Sequence, residues 1–137
     1  MGLLKWLFGG GTQPRSNVLA GDGGYDFEGV GESFYQDALL RIVGRKTEDG
    51  ADHECTAVLV LEDQNPHDEN AVAVQIDGQK VGHLSRKDAK KFRQFMARAG
   101  LREAACGAVI TGGWKRKGSD EGSFGVRLDL EWPPRLE

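Results

Sequence analysis

Short strand-like runs separated by turn residues account for most of this chain, and the sharpest of them is residues 65–84, NPHDENAVAVQIDGQKVGHL. Asn65-Pro66 opens a turn, because Pro66 fixes its own φ and drives the preceding residue out of the helical region. Asn65, Asp68 and Asn70 carry short polar side chains that bond nearby backbone donors. Ala71 to Val74 and Ile76 then predict a mostly buried strand over 71–77. Asp77-Gly78 is a strong hairpin signal, and Val81-Gly82-His83-Leu84 returns as a partner strand over 80–84.

The same pattern predicts strands at 25–33, 37–44, 56–62, 103–114 and 123–132, with a polar, acidic loop at 48–54 and a charged tip at 115–122. Pro133-Pro134 ends the last strand. One helix stands out, at 85–99. Ser85 is its N-cap and Asp88 holds a capping-box position. Ala89, Phe92, Phe95, Met96 and Ala99 recur at helical spacing and face the core, while Arg86, Lys87, Lys90, Lys91 and Arg93 lie mostly around the other side. Gly100 suits a left-handed cap, with Leu101 as its hydrophobic contact. The organisation is a segment at 1–24, a domain at 25–132 and a tail at 133–137. The fold class is mainly β: about six or seven strands in a barrel or sandwich, one main helix and room for a second short one.

Composition narrows the class. At 137 residues, 39% hydrophobic and 28% charged, the chain suits one globular domain with a real core. Cys55 and Cys106 are too few for a disulfide framework, and the chain reads as cytoplasmic. The apolar start, MGLLKWLF, is too short to span a bilayer and lacks the features of a secretory signal. It reads as a frayed tail or a short packed helix. The alternative is an interfacial anchor, with Trp6 and Phe8 at the headgroups and Lys5 snorkelling. Residues 9–24 read as a flexible linker.

The net charge of −3 argues against a generic polyanion binder, but the charges are segregated. Residues 79–117 hold eleven Lys/Arg against Asp88 and Glu103, whereas residues 1–78 hold five basic and fourteen acidic residues. That division predicts one positive face on an acidic protein, suited to an anionic partner.

Three blocks in order, Val30-Gly31-Glu32-Ser33-Phe34-Tyr35, Asn65-Pro66-His67-Asp68-Glu69-Asn70-Ala71 and Val81-Gly82-His83-Leu84-Ser85, resemble the HIRAN domain across about residues 25–132. The resemblance implies a small barrel similar to an oligonucleotide-binding fold. It also implies a free-standing, bacterial or phage-type member that binds single-stranded DNA ends and recognises the free 3′-hydroxyl. Repair, fork processing or nucleic-acid defence would be its setting, with a helicase, a nuclease or another DNA-processing protein as companion. No cofactor is implied.

Single-strand binders combine a positive groove with aromatic platforms on which bases stack. Phe34, Tyr35, His67 and Phe124 are the candidates, and the resemblance assigns base contacts to Phe34, His67 and Phe124. Phe34 and Phe124 read equally well as core, and Tyr35 as a structural tyrosine. The resemblance has the Asp68 carboxylate accept a hydrogen bond from the terminal 3′-hydroxyl and repel a 3′-phosphate. Asp68 also fits a plain Asx-type turn cap, as Asn65 and Asn70 do more strongly. The resemblance implies contacts to the DNA backbone from His83 and Arg86, with Arg86 at a helix N-terminus that favours phosphate and Lys87 assisting by charge alone. His83 fits a buried, hydrogen-bonded histidine nearly as well. The family is best known as an accessory domain of fork-remodelling ATPases, and two departures from their pattern, Ser33 for an arginine and His67 for a tyrosine, predict weaker or altered end binding.

Two rival classes carry less. Asp63, His67, Asp68 and Glu69 form a local acidic cluster of the kind that holds a catalytic divalent metal, but their spacing matches no supporting motif. His53, Cys55, His67, His83 and Cys106 supply zinc-ligand types without a recognised spacing. A protein-interaction module without DNA binding is the other class, favoured modestly by Ser33 and the acidic total. Salt dependence separates it from DNA binding.

Overall fold

The long pairing of β2 (Ala51–Leu61) with β5 (Glu103–Gly112) is the spine of the molecule, with antiparallel register running from Ala51 opposite Gly112 to Val60 opposite Glu103. The computed structural model describes residues 17–137. The apolar start and the first part of the expected linker lie outside the described residues. On one side of the spine, β2 pairs with β3 (Val72–Ile76) and β3 with β4 (Gln79–His83). On the other, β5 pairs with β6 (Phe124–Asp129) and β6 with the short β1 (Phe27–Glu28). The order β1-β6-β5-β2-β3-β4 makes one antiparallel six-stranded sheet, curled into a half-barrel. Its two edges meet at one place, where Val30 and His83 exchange backbone hydrogen bonds of 2.8 and 2.9 Å. Gly29 allows that approach, since a Cβ there would lie 2.8 Å from the His83 carbonyl oxygen. The expected mainly-β, barrel-like class is what the chain adopts.

Three local expectations are corrected. Residues 37–44 are not a strand: Gln36–Val43 is the helix α1. Its inward apolar residues fall at 38, 39, 42 and 43, one helical face, with Leu40 exposed, and a short apolar run cannot be told from a buried strand by periodicity alone. Ala38 and Leu39 are buried, and the Gly44 amide closes the helix on the Leu40 carbonyl at 2.7 Å. The strand expected over 25–33 shrinks to Phe27–Glu28 and the bridge at Val30, because Gly31 adopts φ 86° and turns the chain into a 3-10 helix at Glu32–Tyr35. The expected loop at 48–54 is strand from Ala51 onward. Asp52 and Glu54 point to solvent while Ala51, His53 and Cys55 are half-buried, a polar alternation that the acidic composition masked.

The hairpin and the second helix follow the sequence closely. Asp77 and Gly78 both have positive φ, as a tight turn of this kind requires. Helix α2 (Arg86–Ala99) starts where the Ser85 hydroxyl accepts from the Asp88 amide and ends at Gly100 in a left-handed cap, with the Leu101 amide reaching the Met96 carbonyl. Ala89, Phe92 and Met96 join Leu59, Val72, Ile76, Val81, Ile110 and Leu128 in one core. Burying Phe92 alone contributes roughly 1.5–3 kcal/mol. Residues 17–20 run beside this core: Leu19 is buried, its amide bonds Ala105, and Ala20 bonds Arg135.

Candidate nucleic-acid interface

The NPHD turn is held from within and from below. The Asn65 side-chain oxygen accepts from the His67 and Asp68 amides at 2.8 and 3.1 Å, and Asp68 Oδ1 accepts from the Asn70 amide at 2.9 Å. These are Asx-type caps, as the short polar side chains predict. They fix the turn so that His67 stands exposed and Asp68 half-exposed at its crest. Arg93, on α2, clamps the exit: Nε donates to the Asn70 carbonyl at 2.7 Å, Nη2 to the Ala71 carbonyl at 3.0 Å, and Nη1 to Asp63 at 2.8 Å. Arg102 also pairs with Asp63. The two hydrogen-bonded arginines hold the Asp63 carboxyl below the usual carboxylate range.

Below the turn sits Glu62, at the end of β2. It takes hydrogen bonds from Asn65 Nδ2 at 3.1 Å and His83 Nε2 at 2.8 Å, and pairs with Lys80. Burial pushes its carboxyl up, but the hydrogen bonds from Lys80, Asn65 and His83 outweigh that and hold it at about 2. Because this carboxylate only accepts, His83 Nε2 carries its hydrogen. The Tyr35 ring lies 6.1 Å from the His83 ring, centre to centre. A continuous chain of contacts therefore links the three sequence blocks: Tyr35 to His83, His83 to Glu62, Glu62 to Asn65, and Asn65 to His67 and Asp68. Half-buried His83 is committed to Glu62, the hydrogen-bonded alternative foreseen for it.

Phe34 and Phe124 part company. Phe34, on the 3-10 helix beside Tyr35, is 85% exposed, so the core alternative fails for it. Phe124 is 3% exposed and belongs to the core. Its ring lies over Gly113, where a Cβ would come within 2.1 Å of it, and its backbone is clasped at both ends by the Gln36 side chain. It only edges an open groove of about 520 Å³ that also meets Leu40, Arg45 and Lys115. A ring so covered has no free face for a base.

Arg86 and Lys87 are exposed at the start of α2, and Arg86 Nη2 reaches back to the His67 carbonyl at 3.4 Å. The predicted positive face is smaller than the basic half of the chain. Lys80, Arg93, Arg102 and Arg116 are spent on Glu62, Asp63 and Asp120. Glu62, Lys80 and Arg93 are the site residues that sequence reasoning missed. A single acid at a strand end has no periodic signature, and only the β3–β4 hairpin brings Lys80 and His83 against it.

Among the described residues no three His, Cys, Asp or Glu side chains are placed to hold a metal. Burial pushes the Cys55 thiol up to about 11 and Cys106 to about 12, so both are thiols rather than nucleophilic thiolates at neutral pH. No helix of the described residues is long and apolar enough to cross a membrane.

The HIRAN domain family matches residues 23–110, from the turn before β1 through most of β5. That span holds the NPHD turn, the 3-10 helix with Phe34 and the basic helix α2, and stops short of Phe124. No curated protein and no solved structure matches the chain significantly. HIRAN domains are known as DNA-binding modules. Since the match covers well over half of its 137 residues, with all three sequence blocks in place, this chain belongs to the HIRAN domain family.

Proposed function

We propose that this domain binds single-stranded DNA at a free 3′ end. The observation that carries the reading is Phe34: a fully presented aromatic ring, 85% exposed, next to the network that supports the NPHD turn. A phenylalanine ring that folding leaves almost wholly in water suits a stacking platform for a terminal base. Exposed His67 supplies a second, smaller platform. Asp68 uses one carboxylate oxygen to cap Asn70, which leaves the other to accept from a 3′-hydroxyl. Arg86 and Lys87 hold the phosphates that follow, and Asn65 and His83 act beneath, positioning the turn. Repair, fork processing and nucleic-acid defence all generate such ends.

Competition tests this. A linear strand should displace a labelled oligonucleotide far better than a circular strand of the same sequence. Equal competition would mean that ends are not read. A second reading, docking of a protein partner, is favoured by the apolar exposure of Val30, Phe34 and Leu40 around α1, at 47, 85 and 39%. Binding that is insensitive to salt would favour it.

A further inference from the structure

We propose that the outer face of α2 is a second DNA contact, one that takes the duplex flanking a 3′ single-stranded end; this rests on the end-binding reading above. The exposed residues of the helix are Arg86, Lys87, Lys90, Lys91, Gln94, Ala97 and Arg98, five cations with no acid among them. Among the described residues, Lys87, Lys90, Lys91 and Arg98 make no ion pair, unlike Lys80, Arg93, Arg102 and Arg116. On a protein of net charge −3 this is a local feature that folding has left unneutralised.

The face is shaped for phosphates rather than bases. From Lys87 to Arg98 it extends about 16 Å at the helical rise per residue. A duplex lying along it presents one phosphate charge per ~1.7 Å of axis, on the order of nine over that length. The aromatic and sulfur side chains of the helix point elsewhere: Phe92 and Met96 are buried and Phe95 is half-buried. A single strand held on such a convex face would find charge but nothing to stack on, whereas a duplex hides its bases and offers phosphates alone. Position completes the case. The face starts at Arg86, which bonds the His67 carbonyl, and Arg93 midway along the helix bonds the Asn70 and Ala71 carbonyls, so the helix lies against the NPHD turn.

The test compares a short single strand with the same strand carrying a duplex flank behind its 3′ overhang, for the wild type and for K90Q/K91Q/R98Q. Glutamine keeps helix propensity, and circular dichroism verifies the fold. For the wild type the flank should tighten binding about tenfold at low salt and steepen the salt slope by about 0.9 for each phosphate contacted. The triple variant should bind the bare strand within about twofold of wild type and lose the flank's gain. No gain in the wild type, or a gain that survives in the variant, overturns the proposal. Loss of end preference on the bare strand with the flank's gain intact would instead refute the end-binding reading alone.

Discussion

Replacing Phe34 with alanine separates function from folding at the position where the sequence left them confounded. The ring is 85% exposed, so folding removes little of it from water, and truncation should change stability by no more than about 0.5 kcal/mol. For a domain of this size that is a shift of at most about 2 °C in Tm. If the ring stacks on a terminal base, its loss should cost ~1–3 kcal/mol of binding, about 5- to 150-fold in Kd. Phe124→Ala is the opposite case. That ring is 3% exposed and seated on Gly113, so its removal should cost about 3–5 kcal/mol of stability, with Tm lower by about 10 °C or more. Thermal melts and fluorescence anisotropy on the two variants read both quantities. A Phe34→Ala protein that melts like Phe124→Ala, or one that keeps wild-type affinity, would refute the platform assignment.

The Glu62 network carries a pH signature. Its carboxyl is held at about 2 against an ordinary 4.5, so its stabilisation is complete above about pH 4.5 and is lost as pH falls towards 2. The contribution at neutral pH is on the order of 2–3 kcal/mol, and Glu62→Gln should flatten the fall in Tm over that window. Parallel wild-type and variant curves would show that the network adds nothing. Arg93→Ala should destabilise the domain by ~1–3 kcal/mol, because the Asn70 carbonyl loses its donor and the Ala71 carbonyl keeps only the Glu62 amide. It should also loosen the NPHD turn, visible as faster amide exchange at residues 70 and 71. Unchanged exchange there would mean that the turn holds without its clamp.

What was legible in the sequence was local. The Asp77-Gly78 hairpin, the Ser85 cap, the Gly100 terminus and the Asn65 turn all lie within a few residues of the side chains that cause them. So does the family assignment, which rests on three short blocks. What stayed hidden depended on distant partners. Residues 37–44 are helical because Ala38 and Leu39 find one core face, which no short apolar run reveals by itself. Gly31 reads as a loop residue, yet its left-handed turn is what swings Phe34 out of the sheet and into solvent. The family resemblance puts Phe124 at the site by its position on the last strand, whereas its burial over Gly113 follows from the β5–β6 pairing. The charge division was real, but much of it is satisfied between the two halves, with Glu62 and Asp63 taking Lys80, Arg93 and Arg102. On the outer face of α2, Lys87, Lys90, Lys91 and Arg98 make no ion pair among the described residues.

The central claim is that the NPHD turn reads a free 3′-hydroxyl, and a comparison of chemically distinct ends tests it most directly. Short 5′-labelled strands ending in a 3′-hydroxyl or a 3′-phosphate are titrated with the wild type and with Asp68→Asn. The asparagine can still cap the Asn70 amide, so the turn should stand while the charge is gone. The account predicts tighter, salt-sensitive binding to the hydroxyl end by the wild type, and a ratio between the two ends that narrows in the variant at unchanged Tm. Equal binding to both ends by the wild type, or a ratio that Asp68→Asn leaves untouched, would contradict it.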